Sequence, residues 1–110
     1  MAESYAIIIS NLAEKDLKGI FNYLQENVGV QTAINIRQAF LEKIKDLKKM
    51  PSAHGLVLAL REWPTKKYRR VIVKKSWQVI YEMDEEDKVV YVIRILHIRT
   101  GPDFIKELIE

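Results

Sequence analysis

The chain has 110 residues and a mass of 12.9 kDa, the size of one ordinary domain, which excludes a multidomain machine or a large barrel enzyme. Its composition, 48% hydrophobic and 30% charged, is that of a folded globular protein, and the lack of cysteine excludes disulfides, thiolate metal sites and a cysteine nucleophile. The net charge of +3 is unevenly placed: residues 61 to 75 hold Arg61, Lys66, Lys67, Arg69, Arg70, Lys74 and Lys75 against Glu62 alone, so the remainder is slightly acidic.

Tyr5 to Ile9 is short, β-branched and apolar and predicts a strand, ending at Ser10-Asn11, either of which can accept hydrogen bonds from the first N–H groups of a helix. Leu17, Ile20, Phe21, Leu24 and Val28 then form the apolar stripe of an amphipathic helix, which Gly29 is expected to end in a left-handed conformation. A second helix is predicted from about Gln31 to Lys49, with Ile36, Phe40, Ile44 and Leu47 on one stripe, stopped by Met50-Pro51. So short a connection makes the pair an antiparallel hairpin. Ser52 to Thr65 lacks a sustained period and reads as a long connection, with a short strand at Leu56 to Leu60 as one option.

Three strands follow at Tyr68 to Lys74, Trp77 to Met83 and Val89 to Ile98, joined by turns at Lys75-Ser76 and Asp84 to Lys88. The near-continuous apolar run of the last one predicts a central strand buried on both faces. Thr100-Gly101-Pro102 starts a short helix, with Phe104, Ile105, Leu108 and Ile109 as its expected apolar side. The order is β-α-α-β-β-β-α in one domain, residues 1–110. It predicts an α+β fold in which a helical hairpin packs on a small, mostly antiparallel sheet. No apolar run approaches the roughly 18 residues of a membrane helix. Met1-Ala2-Glu3-Ser4 leads straight into a patterned segment without a basic and then apolar leader and gives no targeting signal, while the lack of cysteine fits a reducing cytosol, where the protein is expected.

Few residues carry recognisable chemistry. With only His54 and His97 as histidines no metal site is expected, and Gly19, Gly29, Gly55 and Gly101 are too scattered for a phosphate loop, so no cofactor is expected either. The acids Asp84, Glu85, Glu86 and Asp87 fall in a predicted turn and read as solvated. The basic segment implies an anionic partner, nucleic acid or an acidic protein segment, against the plainer reading of lysines solvating a loop and a strand edge. Metal-free RNA cleavage would need a base, cations for the developing charge and an acid. Its candidates are Arg69, Lys74, Lys75, Arg94, His97 and Arg99, but strand parity points Arg94 and His97 to opposite faces and leaves Arg99 beyond the strand. His97 is either a histidine satisfied by a neighbour or a functional group at the strand's end. Alternation puts Trp77 and Tyr81 beside Val79, facing the helices, which favours packing over base stacking.

The runs Tyr68-Arg69-Arg70-Val71-Ile72-Val73, Trp77-Gln78-Val79-Ile80-Tyr81-Glu82 and Val92-Ile93-Arg94-Ile95-Leu96-His97-Ile98-Arg99 resemble the C-terminal half of the RelE/ParE toxin superfamily. The first helix, with Ala13-Glu14-Lys15-Asp16-Leu17 and then Ile20-Phe21-Asn22-Tyr23-Leu24, and Met50-Pro51 closing the second, resemble the ParE branch in particular. The resemblance implies a cytoplasmic toxin of a type II toxin–antitoxin (plasmid stabilisation) module, bound in a hetero-oligomer by a small acidic antitoxin that folds on binding. ParE-like members inhibit DNA gyrase, whereas RelE-like members cut ribosome-bound mRNA with a cationic set and a C-terminal tyrosine. By position, the RelE-type basic pair falls at Arg69 and Val71, the central arginine at Gln78 and the tyrosine near Phe104. The resemblance therefore implies a growth inhibitor that acts by binding. The alternatives are an mRNA endoribonuclease using Arg69, Arg94, His97 and Arg99, and a homologue that has lost toxicity. In the binding reading, Lys66, Lys67, Arg69, Arg70, Lys74 and Lys75 meet the target or the antitoxin.

Overall fold

A computed structural model describes residues 4–49, 51–53 and 68–109. The predicted strand at Leu56 to Leu60 and most of the long connection lie outside the described residues. The elements run β1 (Ala6–Ile9), α1 (Asn11–Asn27), α2 (Val30–Asp46), a 3-10 turn (Pro51–Ala53), β2 (Arg69–Val73), β3 (Trp77–Asp84), β4 (Val89–His97) and α3 (Pro102–Ile109). The strands form one sheet in the order β1-β4-β3-β2, antiparallel except for the β1–β4 pair. The α+β architecture and element order are those expected from the sequence.

Strand alternation divides the core in two. Val71 and Val73 of β2, Val79 and Tyr81 of β3 and Val90, Val92 and Ile95 of β4 face the helical hairpin and pack on Ala13, Phe40, Ile44 and Leu47. Phe40 lies against Trp77, ring centroids 5.6 Å apart and tilted by 57°, so Trp77 does face the helices. On the opposite face a smaller cluster joins Tyr68, Ile80 and Leu96 to Ile105 of α3, with Ile93, Leu108 and Ile109 around it. Strand β4 is thus covered on both faces, by the hairpin and by α3. Phe104 is a correction: it is 59% exposed and does not join the buried side of α3, because Ile105, Leu108 and Ile109 already present a full stripe to the sheet.

Ser10 caps α1, its Oγ accepting from the Ala13 N–H at 3.0 Å. The end of α1 differs from expectation. Val28 is the C-cap and is exposed, and Gly29 has φ +146° and ψ 155° rather than a left-handed helical conformation. That extended mirror-image region is open to glycine almost alone. In it Gly29 closes α1 through its N–H to the Leu24 carbonyl and opens α2 by accepting from Ala33. The first hairpin turn is centred one residue earlier than expected: Lys74 (φ 52°) and Lys75 (φ 60°) are both left-handed, and the Ser76 N–H closes the turn on the Val73 carbonyl at 3.2 Å. The acidic turn is a solvated one, with Asp84 Oδ1 accepting from the Glu86 and Asp87 N–H groups.

Tyr81 is fully buried, and its hydroxyl donates to the Pro51 carbonyl just after α2. Burial pushes its phenol up to about 12, with the Arg69 charge opposing the shift. An unfolded tyrosine titrates near 10, so this group's stabilising contribution is intact below about pH 10 and is lost as pH rises through about 12. Tyr81→Phe is therefore expected to lower stability by about 1 kcal/mol at pH 7, through the lost hydrogen bond, and to flatten the alkaline loss between about pH 10 and 12. Urea midpoints for both proteins at pH 8, 10 and 11.5 check this; parallel losses would contradict it.

Candidate functional site

Strand β1 stops opposite Val92, so from Ile93 onward β4 has no strand beside it on that edge among the described residues. Side chains from the start of α1 take over. The Ser10 hydroxyl donates to the Ile93 carbonyl at 2.8 Å, and Asp16 Oδ2 accepts from the Ile95 N–H at 3.0 Å. Ile93 itself is the extra residue of a bulge, since Ile80 pairs with Arg94 and Tyr81 with Val92. Arg94 sits between these two edge contacts. Its Nε and Nη2 donate to the two Asp16 oxygens at 2.7 and 2.9 Å, and its Nη1 donates to the Leu108 carbonyl of α3 at 3.2 Å. Only 14% of the Arg94 side chain and 15% of the Asp16 side chain are exposed. Its hydrogen bonds to the Asp16 carboxylate raise the Arg94 pKa further above its ordinary value, so the guanidinium is always charged.

Register places His97 opposite Trp77 and Arg94 opposite Ile80, hence on different faces, as parity requires. His97 is exposed at the mouth of a groove of about 640 Å³ between α1 and the ends of β3 and β4, whose walls include Gly19, Ile20, Tyr23 and Trp77. Its Nδ1 accepts from the Arg99 N–H at 3.0 Å, so the neutral ring carries its proton on Nε2. Arg99 lies past the end of β4. The Ile98 N–H donates to the Ser76 carbonyl at 2.8 Å, which sets the Lys74-Lys75 turn beside the exit of β4. One end of the sheet therefore brings together the exposed residues Lys74, Lys75, His97 and Arg99.

Arg69 and Arg70 lie on β2 with alternate orientation, Arg69 Nη1 donating to the Ser52 carbonyl at 3.3 Å and Arg70 Nη1 to Gln78 Oε1 at 3.1 Å. Gln78 is fully buried and also donates through Nε2 to the carbonyls of His97 (3.0 Å) and Thr100 (3.4 Å). Lys66 and Lys67 lie outside the described residues. Among the described residues no three histidine or acidic side chains cluster as metal ligands would, and no helix is long and apolar enough to cross a membrane. Sequence reasoning singled out Ser10 only as a helix cap, not as a donor to β4, and did not single out Asp16 or Gln78 by their own chemistry. The available signal was an acid at position 16 on the same helical stripe as Ala13 and Ile20, and an arginine within the apolar run of β4.

The family model of the ParE toxin of the type II toxin–antitoxin system parDE matches residues 7–100. The chain belongs to the ParE toxin family. Solved structures agree on the fold. A chain of the chromosomal ParDE system of P. aeruginosa superposes with a TM-score of 0.71 at 17% identity, covering 87% of this chain and 98% of that one. The RelBE2 toxin–antitoxin complex of Mycobacterium tuberculosis gives 0.61 at 22% identity, over 86% and 92%. A mutant of E. coli RelE in the free state gives 0.60 at 17%, over 96% and 94%. No curated protein sequence matches. The expected RelE/ParE kinship is therefore right, and the matching family model is that of the ParE branch.

Proposed function

We propose that this ParE-family chain is a toxin that arrests growth by binding its target, with DNA gyrase as that target, and that a cognate acidic antitoxin neutralises it. The observation that carries this reading is the commitment of Arg94. Its guanidinium is held by Asp16 and the Leu108 carbonyl, and a phosphate would have to displace a partly buried carboxylate to reach it. The other positions that the resemblance assigns to a cutting site argue the same way. Val71 and Gln78 are buried, and Phe104 has no proton to give. His97 Nδ1 is engaged by the Arg99 N–H, so only Nε2 of its ring faces outward for chemistry. The exposed Arg70, Lys74 and Lys75 are the cations proposed to meet the acidic antitoxin or the target. That two of the similar structures come from ParDE and RelBE systems supports a partner of this kind.

Purified chain, freed of any antitoxin, is expected to block supercoiling by gyrase in a concentration-dependent way; full supercoiling at saturating chain would refute the gyrase reading. The nuclease reading, kept open by the exposed His97, predicts cleavage of ribosome-bound message that His97→Ala abolishes, and intact message would dismiss it. Growth arrest on expression, rescued by the neighbouring gene, separates both from a chain without toxicity.

A further inference from the structure

At three positions around the groove the residue present is not the one its local backbone favours. Lys74 and Lys75 hold both central positions of the β2–β3 turn with positive φ, 52° and 60°, where asparagine and glycine are the residues such a turn selects. Gly19 stands in the middle of α1, where glycine weakens a helix. The fold itself asks for none of these choices. Neither lysine side chain makes a hydrogen bond or ion pair among the described residues. Lys88, the other non-glycine residue with positive φ among them, has its ammonium 5.3 Å from the centroid of the Tyr5 ring. A methyl group on Gly19 would meet no atom within 4 Å, so close packing does not require the glycine. Departures of this kind collect at functional sites. All three border one feature: Gly19 lines the groove with Tyr23 and His97, and Ser76 carries the lysine turn to its mouth.

The rim is cationic. Lys74, Lys75 and Arg99 are exposed there, Lys15 stands on the α1 wall, and His97 presents an Nε2–H. The acid of the wall, Asp16, is engaged by Arg94 and the Ile95 N–H, so it does not cancel these charges. The acids of the β3–β4 turn lie at the far end of the eight-residue strand β3, about 25 Å away. Tyr23 is 64% exposed, which leaves its ring open to a planar ligand, while Trp77 is committed to Phe40 and closes the wall. Cations beside an open aromatic ring are how single strands are held, phosphates on the charges and an unstacked base on the ring. An acidic peptide would use the cations but not the ring or the bare backbone at Gly19.

We propose that this groove binds a single strand of nucleic acid, one base lying against Gly19 and Tyr23 while the flanking phosphates meet Lys74, Lys75 and Arg99. Gln78 and Arg70 are bonded to each other on the α3 face of the sheet, so the groove is separate from the central position that the resemblance assigns to RNA cutting. The strand is bound rather than cut, because cleavage needs an acid as well as a base and the acid of this groove is held by Arg94. The site goes beyond the proposed toxin role and does not depend on which target is struck.

Fluorescence anisotropy of the full chain with a fluorescein-labelled oligothymidylate of about twelve nucleotides tests this. The probe lacks a 2′-hydroxyl, so binding is read apart from cleavage, and no gyrase enters the assay. Affinity is expected to fall with salt, the slope of log K against log salt losing about 0.7 for each lysine removed. Lys74→Asn combined with Lys75→Gly gives the turn its preferred residues, so the urea midpoint is expected to rise while affinity falls at least about tenfold and the slope shrinks by about 1.4. Gly19→Leu strengthens the helix and fills the groove; it is expected to raise the midpoint and weaken binding about tenfold with the slope unchanged. Loss of binding in a stabilised protein cannot come from unfolding. Four results would each overturn the proposal: no binding by the unchanged chain, variants that bind as it does, a duplex of the same length bound as tightly, or displacement of the strand by polyglutamate of equal charge. The last would assign the surface to an acidic peptide.

Discussion

Replacing Asp16 with alanine is expected to lower the stability of the fold by about 3 kcal/mol, the low end of the roughly 3–5 kcal/mol lost when one partner of a buried ion pair is removed. The low end applies because 14–15% of each side chain remains exposed, so water offers some compensation. Two consequences add. Arg94 is left charged in a site built for a carboxylate, and the Ile95 N–H loses its acceptor on an edge that β1 does not reach. A domain of this size has roughly 5–15 kcal/mol in total, so a loss of this size leaves a fold that is still present at low temperature. Arg94→Ala is expected to cost about as much. The double variant is expected to cost less than the two single losses together by at least about 1 kcal/mol, since the second change removes a charge that the first had stranded. Urea midpoints of the four proteins measure the cycle, with unchanged slopes required for the comparison. Additive losses would mean that the two groups stabilise the fold independently, against the bidentate geometry.

The same pair shows where the sequence was legible. An acid on the Ala13–Ile20 stripe and an arginine in the run Val89 to Ile98 are each out of place on an apolar surface. Buried charges need partners, so the pairing was within reach of sequence reasoning, although its geometry was not. The face of Trp77 and Tyr81 and the opposed parity of Arg94 and His97 followed from period two alone. Parity survived because the bulge lies at Ile93, before both residues. Three features were hidden for physical reasons. The parallel β1–β4 pairing joins segments more than 80 residues apart, as the Ser10–Ile93 bond does, and no local pattern encodes such a contact. The second face of the sheet was assigned no occupant, because an eight-residue amphipathic helix is compatible with several docking places. The conformation of Gly29 serves the start of the next helix as well as the end of the last one, and a glycine alone does not tell which positive-φ region it occupies.

Gln78→Arg, which restores an arginine at the position that the resemblance gives to the central cation of RNA-cutting relatives, is expected to destabilise the protein by about 2–4 kcal/mol and to create no nuclease. The side chain is fully buried, and its amide bonds the carbonyls of His97 and Thr100 while accepting from Arg70. A guanidinium there gains no carboxylate from the groups that Gln78 now bonds. It must also share the site with the Arg70 charge, so desolvation and like-charge repulsion act together. Geometry sets the second part of the expectation. Position 78 pairs with Leu96 on the α3 face, whereas His97 pairs with Trp77 on the groove face. A cation and a histidine on opposite sides of a sheet cannot attend one scissile phosphate. Gln78→Met, which keeps the volume and removes the charge problem, is expected to cost less than Gln78→Arg in urea unfolding, and neither variant is expected to cleave ribosome-bound message. Cleavage that appears with Gln78→Arg and disappears when His97→Ala is added would show that the two faces can cooperate after all, against a toxin that acts by binding alone.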